Sequence, residues 1–269
     1  MPGITPMKRT SQHPPFSFAA PAYANAVPLA KFIPEVCPGA EVILDHPAEL
    51  LKRLRNHHAD AVLMPVADLF TTPGLDQIPG PGICADGRVR SVLLKCHRPL
   101  EQAGTLRLDP ASRTSNTLAL LLLRHYWKRG VRVVPGTDPR RADVEVVIGD
   151  RALCGPPASA GDIDLATAWK EFTGLPFVFA VWVFRRDHPL PDLLSDIVNR
   201  ARQAGLEALP AIAREQALKL GLSEAACLEY FTACIRYDVG SREREAMDRF
   251  REMIARGIGS PDLSRLRIF

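Results

Sequence analysis

The sequence contains no run of about 18 consecutive apolar residues, so it encodes no membrane-spanning helix. Charge of one sign is also missing: 34 Lys and Arg stand against 30 Asp and Glu, a net charge of +4. The basic residues are dispersed and form no stripe interleaved with aromatics, which argues against a nucleic-acid partner. Neither a Gly-rich P-loop nor G-x-G-x-x-G occurs, so a nucleotide is not expected. H-E-x-x-H, a Ser-His-Asp spacing and a close carboxylate pair are absent, which removes the familiar metalloprotease and triad-hydrolase patterns. The six cysteines form no C-x-x-C pair and no His lies at finger spacing, so free thiols in a reducing compartment are expected rather than zinc or disulfides. His57-His58 is the one histidine pair. Placed on a helix beside Lys52, Arg53 and Arg55, its two members would not face each other and would make no metal site. No internal repeat or low-complexity block is present.

What the chain does have is proline, 24 residues in 269, much of it at element boundaries. This composition suits a loop-punctuated α/β protein with a substantial core. Near the start stands "PAYANAVPL", whose Ala24-Asn25-Ala26 mimics a small-x-small cleavage signal. An export peptide needs about 7 to 15 continuous apolar residues before such a site, and Pro14, Pro15, Ser17 and Pro21 interrupt that stretch. The segment reads instead as a strand-to-helix turn presenting Tyr23 and Asn25. Residues 1–14 are expected to be a disordered tail, and the protein to be cytoplasmic.

Strand and helix patterns alternate along the chain, which predicts parallel βαβ units. "FSFAAPAY", "EVILDH" and "ADAVLMPV" read as strands. "PAELLKRLRNHH" reads as a helix with Pro47 in its first turn. "PGLDQIPGPGICADG" reads as a Gly/Pro-rich connection leading to the strand "VRSVLLKCHR". In a second cycle, "GTLRLDP", "VRVVPG" and "VEVVIGD" are strands and "NTLALLLLRHYWKRG" is an amphipathic helix closed by Gly130. "LATAWKEFTG" is a helix closed by Gly174, "LPFVFAVWVFRR" is a long apolar strand, and everything after Pro189 is helical. Two α/β units with a helical tail predict two lobes around a cleft. The strands at 89–98 and 177–186 are the expected crossings, giving lobe one as 15–93 plus 184–269 and lobe two as 94–183. The helical tail packs on lobe one or builds a dimer, so monomer and homodimer both stay open.

Few residues stand out chemically. Ser112-Arg113-Thr114-Ser115 lies between a strand and a helix, where hydroxyls cap the helix and the dipole end favours an anion. An Arg beside three hydroxyls adds a fork that matches a carboxylate; carboxylate and phosphate are not distinguished by this pattern, nor is plain capping ruled out. Arg90-Ser91 opens an apolar strand at a proposed crossing, and Ser91 there is also readable as a buried hydroxyl bonded to backbone. Gly149-Asp150 ends a strand, where open α/β sheets place ligand groups. Asn25, taken alone, is an Asx-turn residue.

Taken together and in order, "PAYANAVPL", "DGRVRSVLL", "LDPASRTS", "VVIGDRAL", "WKEFTGLPFVFAVW" and "YFTACIRYDVG" resemble the chorismate dehydratases of the futalosine route to menaquinone. The resemblance spans about residues 16 to 255. It implies the two-lobed fold of type II periplasmic binding proteins, with a double crossover and a ligand cleft between the lobes. It further implies a cytosolic lyase without metal or organic cofactor, converting chorismate to 3-[(1-carboxyvinyl)oxy]benzoate and water. Asn25 and Ser91 match the positions that family places against the reacting ring. Ser112, Thr114 and Ser115 would hold a carboxylate, with Arg113 either joining them or pointing to solvent; Tyr23, Arg90, Gly149 and Asp150 complete the expected contacts. The family's usual Leu before the Asn is Ala24 here. Two other readings share the fold: a binding protein without catalysis for a small carboxylate, and the later dihydroxynaphthoate-forming enzyme of the same route, which "TGLPFVFAVW" and "IRYDVG" fit less well.

Overall fold

The structure, a computed structural model, describes residues 16–134 and 142–256; the tail expected at 1–14 lies outside them. Eleven strands are seen among the described residues: β1 (Ser17–Pro21), β2 (Glu41–Asp45), β3 (Ala61–Pro65), β4 (Leu75–Ala85), β5 (Val92–Cys96), β6 (Thr105–Arg107), β7 (Arg132–Val133), β8 (Val144–Ile148), β9 (Asp162–Asp164), β10 (Phe177–Arg185) and β11 (Arg236–Asp238). The helices are α1 (Val27–Ala30), α2 (Ile33–Val36), α3 (Pro47–Arg55), α4 (Val66–Thr71), α5 (Arg113–His125), α6 (Gly149–Cys154), α7 (Leu165–Thr173), α8 (Pro191–Glu207), α9 (Leu209–Leu220), α10 (Glu224–Glu229) and α11 (Ser241–Ala255). None of them is long and apolar enough to cross a membrane.

The strands form two sheets, in the orders β11-β4-β10-β3-β1-β2 and β7-β6-β8-β5-β9. β1 runs parallel to β2 and β3, whereas β10 is antiparallel to both of its neighbours, β3 and β4. The continuous apolar runs explain the central positions. Every residue of β3 and β8 is buried, as is β10 up to Phe184, the pattern of strands covered on both faces. Glu145 is the exception within β8, and it is paired with Arg107 and with His97 at 3.1 Å. Such pairing is the condition for keeping a carboxylate buried.

The chain passes between the sheets twice, through residues 86–91 and through α7. Strands β5 and β10, expected to be the crossings, belong wholly to the second and the first sheet respectively. Both passages meet at Asp164. Its Oδ2 accepts from Val89 N and Arg90 N at 2.9 and 2.7 Å, and its Oδ1 caps α7 by accepting from Ala166 N and Thr167 N. A T-shaped aromatic cluster of Trp169, Phe177 and Phe250, with centroids 5.0–5.9 Å apart, packs α7, β10 and α11 together.

Several expectations are corrected. The supposed connection at 73–87 is mostly the eleven-residue strand β4. Its prolines fall where the pairing is irregular: Pro79 sits at the register shift against β10, and Pro81 opposite Asp238 of β11. A missing N–H costs no ladder bond at such places. The helix α5 stops at His125, well before Gly130, with Lys128 in the left-handed region at φ 55°. His57 and His58 lie in the turn after α3, His57 at φ 58°, rather than on the helix. The tail is interrupted by β11, and its helices pack on the first sheet's side: α8 against α1, α2 and β4, and α11 against β10 and α4. Gly174 closes α7 at φ 76° as expected.

Candidate functional site

A cleft enclosing about 520 Å3, part of it open to solvent, lies between the sheets. Its walls are apolar, from Pro21, Pro65, Ile83, Val89, Ile148 and Phe179 among others. Six of the ten residues singled out in the sequence line it: Tyr23, Asn25, Ser91, Ser112, Ser115 and Gly149. Arg90, Arg113, Thr114 and Asp150 do not.

On the first-sheet side, β1 ends at Pro21 and the chain turns through Tyr23, extended at φ −116° and ψ 151°, into a 3-10 turn, Ala24–Ala26. Pro28 in the first turn of α1 fixes the helix start. Asn25 therefore sits at the strand's carboxyl end, facing the cleft. Its Oδ1 is buried without a hydrogen-bond partner among the described residues, an arrangement that costs free energy unless a ligand supplies a donor. Ala24 N donates to Asp150 Oδ1 at 3.1 Å, which ties this turn to the start of α6 across the cleft. Burial raises the Asp150 carboxyl above its usual range, partly opposed by that same Ala24 N–H. Beside it, the Tyr23 ring lies against Gly149: a Cβ on this glycine would stand 2.8 Å from Tyr23 Cδ1. The Gly149 backbone has φ 63°. Both the approach and the dihedral require glycine.

On the second-sheet side, Ser112 caps α5, its Oγ accepting from Ser115 N at 3.0 Å and donating to Ser115 Oγ at 2.9 Å. The preceding turn is held by buried Asp109, whose Oδ1 accepts from Ala111 N and whose Oδ2 accepts from Ile148 N. Two hydroxyls and a helix N-terminus thus face the cleft, an arrangement that favours an anion. The next two side chains turn away to α4. Thr114 Oγ1 accepts from Ala67 N at 3.0 Å, and Arg113 Nη1 donates to buried Asp68 at 2.6 Å. These contacts link the second unit to the first.

At the first crossing, Arg90 takes φ 64° and does not line the cleft, its Nη1 standing 3.7 Å from Glu229. Ser91, fully buried, turns inward to the cleft; its carbonyl accepts from Gly149 N at 2.8 Å, and its Oγ accepts from the Tyr230 hydroxyl at 2.8 Å. Tyr230 was not singled out in the sequence, although it opens the segment "YFTACIRYDVG". Phe179, which lines the cleft, and Asp109 and Asp164, which hold the turns beside it, were equally unmarked. Among the described residues, Tyr23 is the only titratable side chain lining the cleft. Burial first, then the nearby Asp109 and Asp150 charges, push it up to about 12. Among the described residues, the cleft therefore holds hydrogen-bonding groups and no ordinary base at neutral pH.

A family model described as menaquinone biosynthesis matches residues 16–256. The chorismate dehydratase of Thermus thermophilus is 30% identical over 263 residues, covering 89% of this chain and 95% of that protein. Among solved structures, a protein of Archaeoglobus fulgidus superposes with a TM-score of 0.69 at 17% identity, covering 93% of this chain and all of the other. The alkanesulfonate-binding protein of Xanthomonas axonopodis pv. citri gives 0.60 at 11% identity, with 91% and 95% covered. At such identities these structures speak to the fold, which is that of periplasmic binding proteins. The match across 16–256, with a relative at 30% identity over most of both chains, shows that this chain belongs to the menaquinone biosynthesis family.

Proposed function

We propose that the chain is a chorismate dehydratase, removing water from chorismate to give 3-[(1-carboxyvinyl)oxy]benzoate. The observation that carries this reading is the cleft itself. It brings the unpaired Asn25 Oδ1 and the Ser91 hydroxyl together with the hydroxyl-lined start of α5, inside apolar walls. A cyclic dicarboxylate needs that combination: an anion site for one carboxylate, neutral hydrogen-bonding groups at the ring and exclusion of water.

The reaction removes the C3 proton and the C4 hydroxyl. The C3–H electron pair becomes the C3–C4 double bond, the C4–O bond breaks, and the ring becomes aromatic. The departing hydroxyl and the C3 proton together make the water. Aromatisation supplies a large driving force, so the protein's part is to fix the conformer and the leaving group. Among the described residues no side chain lining the cleft is a base at neutral pH, which supports proton transfer to the substrate's own enolpyruvyl carboxylate. In this reading Asn25 orients the substrate and Ser91 bonds the departing hydroxyl. Ser112 and Ser115 hold a carboxylate, and Tyr23 on Gly149 walls the ring. Arg90, Arg113, Thr114 and Asp150 shape the cleft from outside it. Two lobes, one per sheet and hinged at 86–91 and 165–176, close over the substrate. Six unbridged cysteines accord with a cytoplasmic enzyme.

Incubation with chorismate, without added metal or cofactor, tests the reading. Loss of the diene absorbance and appearance of an aromatic product lighter by one water are expected. Tight binding without turnover would replace the enzyme by a binding protein; neither binding nor turnover would remove both.

A further inference from the structure

Ser91 meets the cleft with its hydroxyl held from behind. A π-helical turn, Tyr230–Cys234, closes through Ile235 N to Tyr230 O at 3.1 Å and directs Tyr230 and Phe231 inward together, both buried. Such single π turns cost regular helix geometry and gather at functional sites. Tyr230 is 1% exposed and does not line the cleft, yet its hydroxyl lies 2.8 Å from Ser91 Oγ.

A serine hydroxyl has one proton and two lone pairs, and a phenol has one proton. Burial holds the phenol proton on Tyr230, raising its pKa well above the usual value although the Ser91 and Asn25 side chains bond its oxygen and oppose the rise. With the phenol as donor, one Ser91 lone pair is occupied and the Ser91 proton is directed elsewhere. Ser91 Oγ makes no other side-chain bond among the described residues, and its open side is the cleft. There it is joined by Asn25, whose amide also borders the phenol oxygen and whose Oδ1 stands unpaired. The three side chains come from the first strand-to-helix turn, the first crossing and the C-terminal segment.

We propose that Tyr230 is a positioning residue for the dehydration: its hydroxyl fixes Ser91 so that the serine proton points into the cleft at the substrate's departing C4 hydroxyl. As the C4–O bond lengthens, charge grows on that oxygen, and a pre-aimed donor is worth more in the transition state than in the ground state. Ser91 keeps its proton throughout; the water is completed by the proton from C3. Polarisation along Tyr230 to Ser91 strengthens the bond to the leaving oxygen without any transfer.

The inference rests on the chorismate dehydratase reading, so wild-type turnover is measured first. Tyr230→Phe keeps the buried ring and removes only the hydroxyl. It is expected to lower kcat about tenfold or more, with KM changed less than about threefold, the mark of an interaction made chiefly in the transition state. Combined with Ser91→Ala it should add little to the loss of Ser91→Ala alone, because Tyr230 acts chiefly through the serine. Replacing Tyr230 by 4-aminophenylalanine, which restores a donor, should recover activity over the Phe variant. Should the Phe variant not fold, 4-aminophenylalanine against 4-fluorophenylalanine at the same position asks the same question, the amino form being expected to be the more active. An inactive wild type overturns the reading and the proposal with it. An active wild type with an undiminished Phe variant, with losses that multiply in the double variant, or with equal amino and fluoro forms, overturns the proposal alone.

Discussion

Asp164 Oδ2 accepts the backbone N–H of Arg90 at 2.7 Å and thereby holds in the left-handed region the residue that precedes Ser91. An ordinary side chain pays about 1 kcal/mol there, so the turn persists because two backbone donors converge on one half-buried carboxylate. Asp164→Asn can still accept through one atom, but its amide nitrogen cannot receive Val89 and Arg90. The expected result is a stability loss of about 1–3 kcal/mol together with a fall in kcat as Ser91 shifts. Arg90→Gly, by contrast, relieves the dihedral but loses a weak 3.7 Å pair with exposed Glu229 and the packing of a side chain that is only 21% exposed. Whatever its thermal midpoint, its KM for chorismate should hold. A KM raised about tenfold, or about 1.4 kcal/mol of lost binding, would instead make Arg90 a substrate ligand.

Gly149 lies so close to the Tyr23 ring that Gly149→Ala must displace it, the added Cβ meeting Cδ1 at 2.8 Å. The left-handed backbone adds about 1 kcal/mol of its own, or a midpoint lower by about 2–4 °C in a chain of this size. Because Tyr23 walls the cleft, KM should rise as well. An alanine variant with normal KM and midpoint would mean that Tyr23 tolerates the shift and does not shape the site.

Neighbouring hydroxyls at the start of α5 should behave differently. Thr114 Oγ1 satisfies Ala67 N in the interior, so Thr114→Val, which keeps the shape, orphans a buried donor and should cost about 1–3 kcal/mol of stability with little change in KM. Ser115 faces the cleft, and Ser115→Ala should raise KM with a smaller effect on the melting midpoint. Melting curves and chorismate saturation curves on the two variants check this; reversed effects would put Thr114, not Ser115, on the substrate.

The sequence displayed the α/β alternation and the position of Asn25, because buried strands read as continuous apolar runs and the turn after β1 is local chemistry. It hid β4, whose glycines and prolines read as a loop, since only pairing with β10 and β11 makes a strand of them. The three-residue strands β9 and β11 are too short to show a period and exist by their partners. Ser112 and Ser115 were legible as caps, but nothing local revealed that Arg113 and Thr114 would be taken by Asp68 and Ala67 of α4. Tyr230 was invisible for the same reason, its partner Ser91 lying 139 residues away.

Arg113 and Asp68 supply a pH-dependent test. Burial raises the Asp68 carboxyl above the usual carboxylate value, and the Arg113 guanidinium pulls it part of the way back down. A folded-state pKa above the unfolded one means that the protonated form favours the fold. The contribution is complete below the unfolded value and lost as pH rises through the folded value. Arg113→Gln removes the opposing charge, so the carboxyl moves further up and the loss on ionisation grows. The variant's stability deficit against wild type should therefore be small near pH 4 and widen to about 1–2 kcal/mol towards pH 7, the lower part of the range for an ion pair that is only partly buried. Asp68→Asn in the same background should abolish the pH dependence of that deficit. Thermal melts between pH 4 and 7.5 measure it. A deficit that is constant, or larger in acid, would show that Arg113 acts elsewhere, and a steep rise in KM at constant stability would place its guanidinium on the substrate carboxylate.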